Sequence, residues 1–266
     1  MSLVDDICEP GLLTQFATPP SAKDTDEILR RIKADLHPGQ LAFVEDTHTE
    51  ILALTAGYGA GKTTALAAKV LTLAILNQGH TGIVMEPTYP MIRDIWKATF
   101  DRFLDHYGIP YTYRTSPLPE YTLHLGKPTT LLCRSIKNGN MTAVGVNAAF
   151  AVFDEVDILR LVEAQSAFEK ILGRLREGNV RQFAVASTPE GFRWLFQQFG
   201  KPEMQQREDR RLIKMRTEEN PHLPPDFIQR LQENYDSASL AAYLNGDFVL
   251  LNSTQVYDRF DRAKHV

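Results

Sequence analysis

The sequence predicts an α/β fold in which helices flank a mainly parallel sheet and a small helical lobe follows. Three observations lead to this prediction. Apolar runs typical of buried strands alternate with amphipathic helical segments between residues 51 and 186. A glycine-rich turn at residues 56–61 joins the first of these strands to a helix. Beyond residue 217 the pattern changes to two short helices.

The elements are predicted from apolar periodicity and from breaking residues. In chain order they are a helix at about 24–36, a strand at 51–55, a helix at about 64–78, a strand at 81–85, a helix at 90–107, hairpins within 109–134, a strand at 148–153, a helix at 159–176, a strand at 182–186, helices at 225–235 and 237–244, and a strand-like run near 255–257. We expect helices to end at His37-Pro38-Gly39, at Gly79 and at Gly246.

Composition indicates a globular chain that can bury a sizeable core: 43% of its 266 residues are hydrophobic and 23% are charged. Two cysteines, Cys8 and Cys133, fit a reducing cytoplasm and give no disulfide framework. We find no signal-peptide pattern, and the longest apolar stretch is interrupted by Lys69, so no membrane association is expected. With a net charge of −4, any contact with DNA must come from a local patch.

Residues 56–63, Ala-Gly-Tyr-Gly-Ala-Gly-Lys-Thr, predict a P-loop between a strand and a helix. Its glycines let backbone N–H groups surround a polyphosphate, and the helix N-terminus adds its positive dipole end. We expect Lys62 to reach the β- and γ-phosphates and Thr63 to ligate Mg²⁺. The predicted nucleotide-binding residues are Ala56, Gly57, Tyr58, Gly59, Ala60, Gly61, Lys62, Thr63 and Thr64. The alternative is an ordinary glycine-rich turn, since Ala56 replaces the usual first glycine.

The strand at 148–153 leads into two acids, Asp154 and Glu155. Burying carboxylates at a strand end is costly without a cation, so this pair predicts the metal side of an ATP site. We expect Asp154 to hold Mg²⁺ and Glu155 to polarise the attacking water. The alternative is a solvated turn. A GTPase is disfavoured because Asp-x-x-Gly and Asn-Lys-x-Asp motifs are missing.

Ser187 and Thr188 follow the next strand and could contact the γ-phosphate or its water through their hydroxyl groups. Ser-Thr-Pro is also a common turn and helix start, so both interpretations stay open. ATP and Mg²⁺ are the predicted ligands of the whole arrangement.

Taken in order, these motifs resemble the ATPase domain of the large terminase subunit, the DNA-packaging motor of tailed bacteriophages, over about residues 37–260. Gln40 falls where that family has its adenine-contacting glutamine. Residues 86–89, Glu-Pro-Thr-Tyr, resemble its Pro-Thr-Tyr motif, and Ser187-Thr188-Pro189 its coupling motif. Residues 220–224 and 243–248 resemble the lobe that links ATPase to nuclease.

The resemblance implies a RecA-like (ASCE) P-loop ATPase that uses ATP and Mg²⁺ to move double-stranded DNA into a procapsid. It implies the portal protein and the small terminase subunit as partners, a homo-oligomeric ring when assembled, and the host cell cytoplasm as location. The expected division is an N-terminal segment with a helix that packs on the lid lobe (1–36), an ATPase core (37–217) and a helical linker or lid lobe (218–266). The family's nuclease domain is expected just beyond Val266, so we expect no DNA cleavage by this chain.

Two departures from the family concern arginines. Tyr58 stands where many members carry Arg in the P-loop, and Val144 where some carry an Arg that is proposed to reach a neighbouring subunit's ATP. The arginine finger is therefore open. The candidates are Arg134, Arg160 and Arg174, each with a surface arginine as the alternative.

Two basic clusters are candidate DNA contacts, although basic stretches are more often solvated faces. The clusters are Lys170, Arg174, Arg176 and Arg181, and Arg210, Arg211, Lys214 and Arg216. Two other functions stay open: a helicase-like or remodelling ATPase, and a nucleotide-binding switch that is not a motor.

Overall fold

The computed structural model of the protein describes residues 20–137 and 145–251. The predicted strand-like run near 255–257, as well as Cys8 and Val144, lie outside the described residues.

Eight strands form one sheet in the order β3-β4-β5-β2-β6-β7-β1-β8 across the part of the chain described. The strands are β1 (Ile51–Ala56), β2 (Thr81–Glu86), β3 (Tyr111–Arg114), β4 (Glu120–Leu123), β5 (Thr129–Ser135), β6 (Phe150–Asp154), β7 (Gln182–Ser187) and β8 (Arg210–Met215). The six strands from β5 to β8 pair in parallel, and β3 and β4 extend one edge as an antiparallel hairpin. The predicted mainly parallel sheet is thereby confirmed.

Helices cover both faces of the sheet. They are α1 (Ala22–Asp35), α2 (Pro38–Glu45), α3 (Lys62–Leu76), α4 (Tyr89–Met91), α5 (Lys97–Tyr107), α6 (Leu161–Leu172), α7 (Pro202–Gln205), α8 (Phe227–Asn234) and α9 (Ser237–Asn245). Short π-helical turns occur at Ile92–Trp96 and Phe196–Gly200. Within the described ranges, no helix is long and apolar enough to cross a membrane.

Two apolar cores lie on opposite faces of the sheet. One joins α1, α2, α3 and α5 to one face, and the other joins α6 and the segment around Trp194 to the other face. Helix α3 is buried over nearly its whole length, because it lies across the sheet and is covered by its neighbours. This burial fixes the direction of its N-terminus, which is the end that carries the P-loop lysine.

The strand order brings three predicted motifs to one edge of the sheet. In parallel strands the carboxyl ends meet at the same edge, and β1, β7 and β6 are consecutive neighbours. Thr55 pairs with Ser187 and Asp154 pairs with Ala186 in the register. The P-loop, the acidic pair and the Ser-Thr pair therefore emerge side by side.

Three expectations about elements are corrected. Strand β8 was not predicted, because its mixture of basic and apolar residues was interpreted as a basic cluster. Helix α6 is shorter than expected, since a 3₁₀ turn at Val156–Ile158 precedes it and Gly173 ends it. Helix α1, expected on the lid lobe, packs on the core helices within the described residues: Ile28 and Ile32 join the core of α3 and α5, and Tyr107 Oη donates to Asp35 at 2.8 Å.

Candidate nucleotide-binding site

The P-loop lies between β1 and α3 in a conformation that its glycines permit. Gly59 and Gly61 have φ of 69° and 92°, values that residues with a side chain rarely adopt. Gly61 directly precedes the first turn of α3, so the loop presents backbone N–H groups at a helix N-terminus. That geometry suits a polyphosphate.

Lys62 connects the three motifs. Its Nζ donates to Thr188 Oγ1 at 2.8 Å and lies 3.4 Å from Glu155 Oε1. The side chain is 9% exposed, so these contacts are largely shielded from solvent. An ammonium group placed between a hydroxyl and a carboxylate, at the mouth of a P-loop, is available to a phosphate oxygen.

Asp154 and Thr63 lie together at the carboxyl edge of the sheet. Thr63 Oγ1 donates to Asp154 Oδ2 at 3.2 Å, and Asp154 Oδ1 is buried without a partner among the described residues. Burial, with the Glu155 charge as a second cause, raises the pKa of Asp154 to about 7. A hydroxyl, a carboxylate and an unused buried oxygen are suitable donors for Mg²⁺, which is usually held by one or two carboxylates together with phosphates.

Glu155 is held at the end of β6 by the neighbouring strand. Its Oε2 accepts from Ser187 Oγ at 3.2 Å and from the Thr188 N–H at 3.3 Å. Its backbone has φ of 51°, and it is the one non-glycine residue with positive φ in the described ranges. Such a conformation costs about 1–3 kcal/mol and is concentrated at functional sites. Here it directs the carboxylate toward Lys62.

Glu86, at the end of β2, was not predicted as a site residue. It is 0% exposed, and neither of its carboxylate oxygens has a partner within residues 20–137 or 145–251. Burial and the charges of Asp154 and Glu155 raise its pKa well above the usual value for a glutamate. An acid that ends an apolar strand was the available signal, the same one that identified Asp154.

Asp157 was also missed. Its carboxylate accepts from the backbone N–H groups of Glu190 at 3.3 Å and Leu195 at 2.9 Å, and its own N–H donates to Ser187 Oγ at 3.3 Å. It is 0% exposed, and burial raises its pKa to about 6. Asp157 therefore ties the turn after the acidic pair to the segment that follows Thr188. These partners are 30 or more residues away in the chain, so no local pattern indicates them.

Gln40 lies next to the P-loop, and its predicted contact with adenine stays a prediction. Its Nε2 donates to the Gly61 carbonyl at 3.0 Å, and its Oε1 accepts from the His37 N–H at 3.3 Å. The His37 ring contacts the Ala60 carbonyl at 3.1 Å. The N-terminus of α2 thus supports the last part of the loop.

Tyr58 is a contact between the P-loop and the C-terminal lobe. Its ring stacks on Tyr243 with centroids 4.4 Å apart and planes 12° apart, and its N–H donates to the Tyr243 carbonyl at 2.6 Å. A Cβ at Gly57 would collide with Thr217 Oγ1 and would lie 2.6 Å from the Leu244 carbonyl. The aromatic residue that replaces the family's arginine therefore packs against the lobe.

The three arginine-finger candidates lie in different places. Arg134 is 7% exposed and donates to the Pro119 and Cys133 carbonyls, so in this conformation it cannot reach another subunit. The Arg174 carbonyl accepts from the N–H of Ala148, which places Arg174 at the amino edge of the sheet, opposite the P-loop. Neither joins the site, because β5 is two strands from β6 and α6 ends at the far edge. Arg160 follows the Asp157 turn, and its side chain is 79% exposed.

The second basic cluster is neutralised by acids of this chain. Each of its members has a carboxylate within 3.2 Å: Arg210 pairs with Asp209, Arg211 with Asp46, Lys214 with Asp247, and Arg216 with Glu218. These pairs weaken its case as a DNA-binding patch, because a paired cation has less to gain from a phosphate.

The fold and the site together define a RecA-like α/β domain of the P-loop class. The sequence profile of the family described as terminase large subunit, T4likevirus-type, N-terminal, matches residues 53–264. The chain therefore belongs to the terminase large subunit family, and the resemblance inferred from the motifs is confirmed. No curated protein matches the sequence significantly.

Solved large terminases have the same fold. The large terminase of the thermophilic bacteriophage D6E is 18% identical with a TM-score of 0.68, over 92% of this chain and 58% of that one. The structure of the same protein in complex with ATP-gamma-S is 18% identical with a TM-score of 0.66, over 92% of this chain and 57% of that one. The ATPase domain of the Thermus phage P74-26 large terminase is 16% identical with a TM-score of 0.60, over 88% of this chain and all of that domain. The chain thus spans less than two thirds of the length of the D6E terminase.

Proposed function

We propose that this chain is the ATP-hydrolysing motor part of a large terminase and that it couples hydrolysis to the movement of double-stranded DNA into a procapsid. Family membership supports the motor role, and the ADP and ATP-gamma-S complexes of the D6E terminase support nucleotide binding. The observation that carries the proposal is the position of Lys62 Nζ, within 3.4 Å of both Thr188 Oγ1 and Glu155 Oε1.

In this proposal each side chain has one task. Lys62 neutralises the phosphates, and the P-loop N–H groups orient them. Thr63 and Asp154 hold Mg²⁺, which when bound neutralises the charge that develops on the phosphate oxygens. Glu155 accepts the proton of the attacking water, while Ser187 and the Thr188 N–H keep its carboxylate in place.

The Asp157 contacts offer a route from hydrolysis to movement. A movement of the Glu155 carboxylate would act on its partners Ser187 and Thr188. Asp157 is bonded to Ser187 as well, and it connects this region to the backbone of Glu190 and Leu195. On the other side, the P-loop backbone is bonded to the C-terminal lobe through Tyr243 and Asn220, and to Thr217 directly before that lobe. We assign residues 37–217 to the catalytic core and those from 218 onward to a lid or linker lobe.

The proposed partners are double-stranded DNA, the portal protein and the small terminase subunit, with copies of the chain forming a ring at the portal in the host cell cytoplasm. An arginine supplied by a neighbouring copy would complete the site, since Arg134 and Arg174 do not.

The test is hydrolysis of ATP measured with and without double-stranded DNA, together with a strand-displacement assay. The proposal expects hydrolysis that DNA stimulates, without displacement of a strand. Displacement would instead indicate a helicase-like ATPase, and binding of ATP without any effect of DNA would indicate a nucleotide switch.

A further inference from the structure

The side chain of Glu86 has no hydrogen-bond partner among the described residues. It is fully buried at the end of β2. Burying an unpartnered acid is costly even when it is protonated, and a partner that binds later or a compensating cation would offset that cost.

The position of Glu86 is next to the metal side of the nucleotide site. Strands β2 and β6 are parallel neighbours, with Met85 opposite Phe153. The next residue of each strand is Glu86 and Asp154, so the two acids lie side by side at the carboxyl edge. Side chains alternate between the two faces along a strand. Val84 and Val152 belong to the core under α3, so Glu86 and Asp154 project toward that same face, where Thr63 bonds Asp154.

Two cations among the described residues have partners other than Glu86. Lys62 contacts Thr188 and Glu155, and Arg134 is directed at the Pro119 carbonyl. Both carboxylate oxygens of Glu86 and Oδ1 of Asp154 therefore have no hydrogen-bond partner among the described residues. All three atoms lie at the ends of two adjacent strands. A donor or cation that enters with a ligand would supply such a partner.

We propose that Glu86 is a positioning residue of the magnesium site, whose carboxylate accepts hydrogen bonds from water molecules bound to the metal beside Asp154. This inference rests on the proposed function, because it requires a metal–nucleotide complex. Contact through water is specified for two reasons. No group of three or more acidic, histidine or cysteine side chains in the described ranges is arranged to hold a metal directly. Mg²⁺ also keeps several of its waters and is usually held by few carboxylates.

The test is the affinity of Mn²⁺ for the 266-residue protein saturated with a non-hydrolysable ATP analogue, measured from the electron paramagnetic resonance signal of free Mn²⁺. Loss of a group that supports metal ligands typically lowers metal affinity about 10–100-fold. We expect a loss in that range for Glu86→Gln and a partial recovery for Glu86→Asp. Affinity for a fluorescent ATP analogue in EDTA should stay within about twofold of the wild type.

Glu177→Gln is the matched control, because it makes the same chemical change at a partly exposed glutamate that pairs with His80. It should bind Mn²⁺ like the wild type. Unchanged Mn²⁺ affinity in Glu86→Gln would overturn the inference while leaving the proposed function intact. So would failure of Glu86→Gln to fold, judged by circular dichroism, since that would give Glu86 a structural role. A wild-type protein that binds neither nucleotide nor Mn²⁺ would overturn the proposed function itself.

Discussion

Lys62 Nζ donates a 2.8 Å hydrogen bond to Thr188 Oγ1, which joins the first turn of α3 to the end of β7. These residues are 126 positions apart in the chain. The contact means that the lysine expected to bind phosphate is already oriented by the third motif before any ligand enters. Preorganised charge of this kind is what an electrostatic catalyst requires.

Replacing Lys62 should weaken nucleotide binding. A hydrogen bond to a charged group contributes about 1.5–3 kcal/mol, so Lys62→Ala should lower affinity by about 10–150-fold. Titration with a fluorescent ATP analogue measures this. Lys127→Ala, at an exposed lysine, is the control and should bind normally. Undiminished affinity in Lys62→Ala would contradict the P-loop assignment.

Replacing Glu155 should separate binding from chemistry. Glu155→Gln keeps the shape of the side chain but cannot accept the proton of water, so hydrolysis should fall by about 10²–10⁴ while affinity is retained. Steady-state hydrolysis and nucleotide titration provide the two readouts. Glu45→Gln, at a surface ion pair with Lys33, should leave both unchanged. If Glu155→Gln turned over at the wild-type rate, another base would have to be found.

Asp154 should make the metal-free protein less stable as pH rises. Its pKa is raised from 3.8 to about 7 by burial, so the folded state holds a proton that the unfolded state has lost. Stability is therefore lost between about pH 4 and pH 7. The free energy of unfolding of Asp154→Asn minus that of the wild type should therefore be about 2 kcal/mol larger at pH 8 than at pH 5.5.

Urea denaturation at the two pH values, in EDTA, checks this prediction. Asp247→Asn, which makes the same chemical change at a carboxylate paired with Lys214 on the surface, is the control variant. A constant difference between Asp154→Asn and the wild type across this range would show that Asp154 is ionised in the folded protein throughout.

Asp157 should affect both stability and turnover. In Asp157→Asn an amide NH₂ replaces one oxygen that accepts a backbone N–H, which leaves a buried donor unpaired and costs about 1–3 kcal/mol. Because Ser187 depends on the same turn, kcat should fall more than KM changes. Denaturation and steady-state kinetics measure the two effects. A loss of stability with unchanged kcat would limit Asp157 to a structural role.

Assembly should accelerate hydrolysis, and Arg160 is the candidate finger with an exposed side chain. We expect slow hydrolysis by the dilute monomer and faster hydrolysis on assembly, with a finger contributing about 10³–10⁵ in rate. Arg160→Ala should remove the acceleration without altering nucleotide affinity. Arg30→Ala, at a comparable exposed pair with Glu27, is the control. Equal rates for monomer and assembly would exclude a finger supplied in trans.

The sequence was sufficient where a short segment carries its own constraint. Glycines at 59 and 61 indicate a turn with positive φ, and an apolar run that ends in Asp154 and Glu155 indicates a strand with a charged tip. The strand order then places the ends of β1, β6 and β7 side by side.

The sequence was insufficient where a side chain contacts residues far away in the chain, or where packing determines its orientation. Arg134 is a candidate arginine finger from the sequence, yet it is buried on β5 and its guanidinium donates to two backbone carbonyls. The cluster from Arg210 to Arg216 was interpreted as a basic surface, whereas pairing with β1 makes most of it an edge strand with acidic partners.

The sequence by itself therefore determined the class of the fold, the family and the main residues of the phosphate and acid motifs, because these depend on neighbours within a few positions. Only the tertiary structure decided that Glu86 joins the acids, that Asp157 connects two loops, and that Tyr58 faces the lobe. Those relationships arise from strand order and burial. Both are properties of segments far apart in the chain, so no local pattern encodes them.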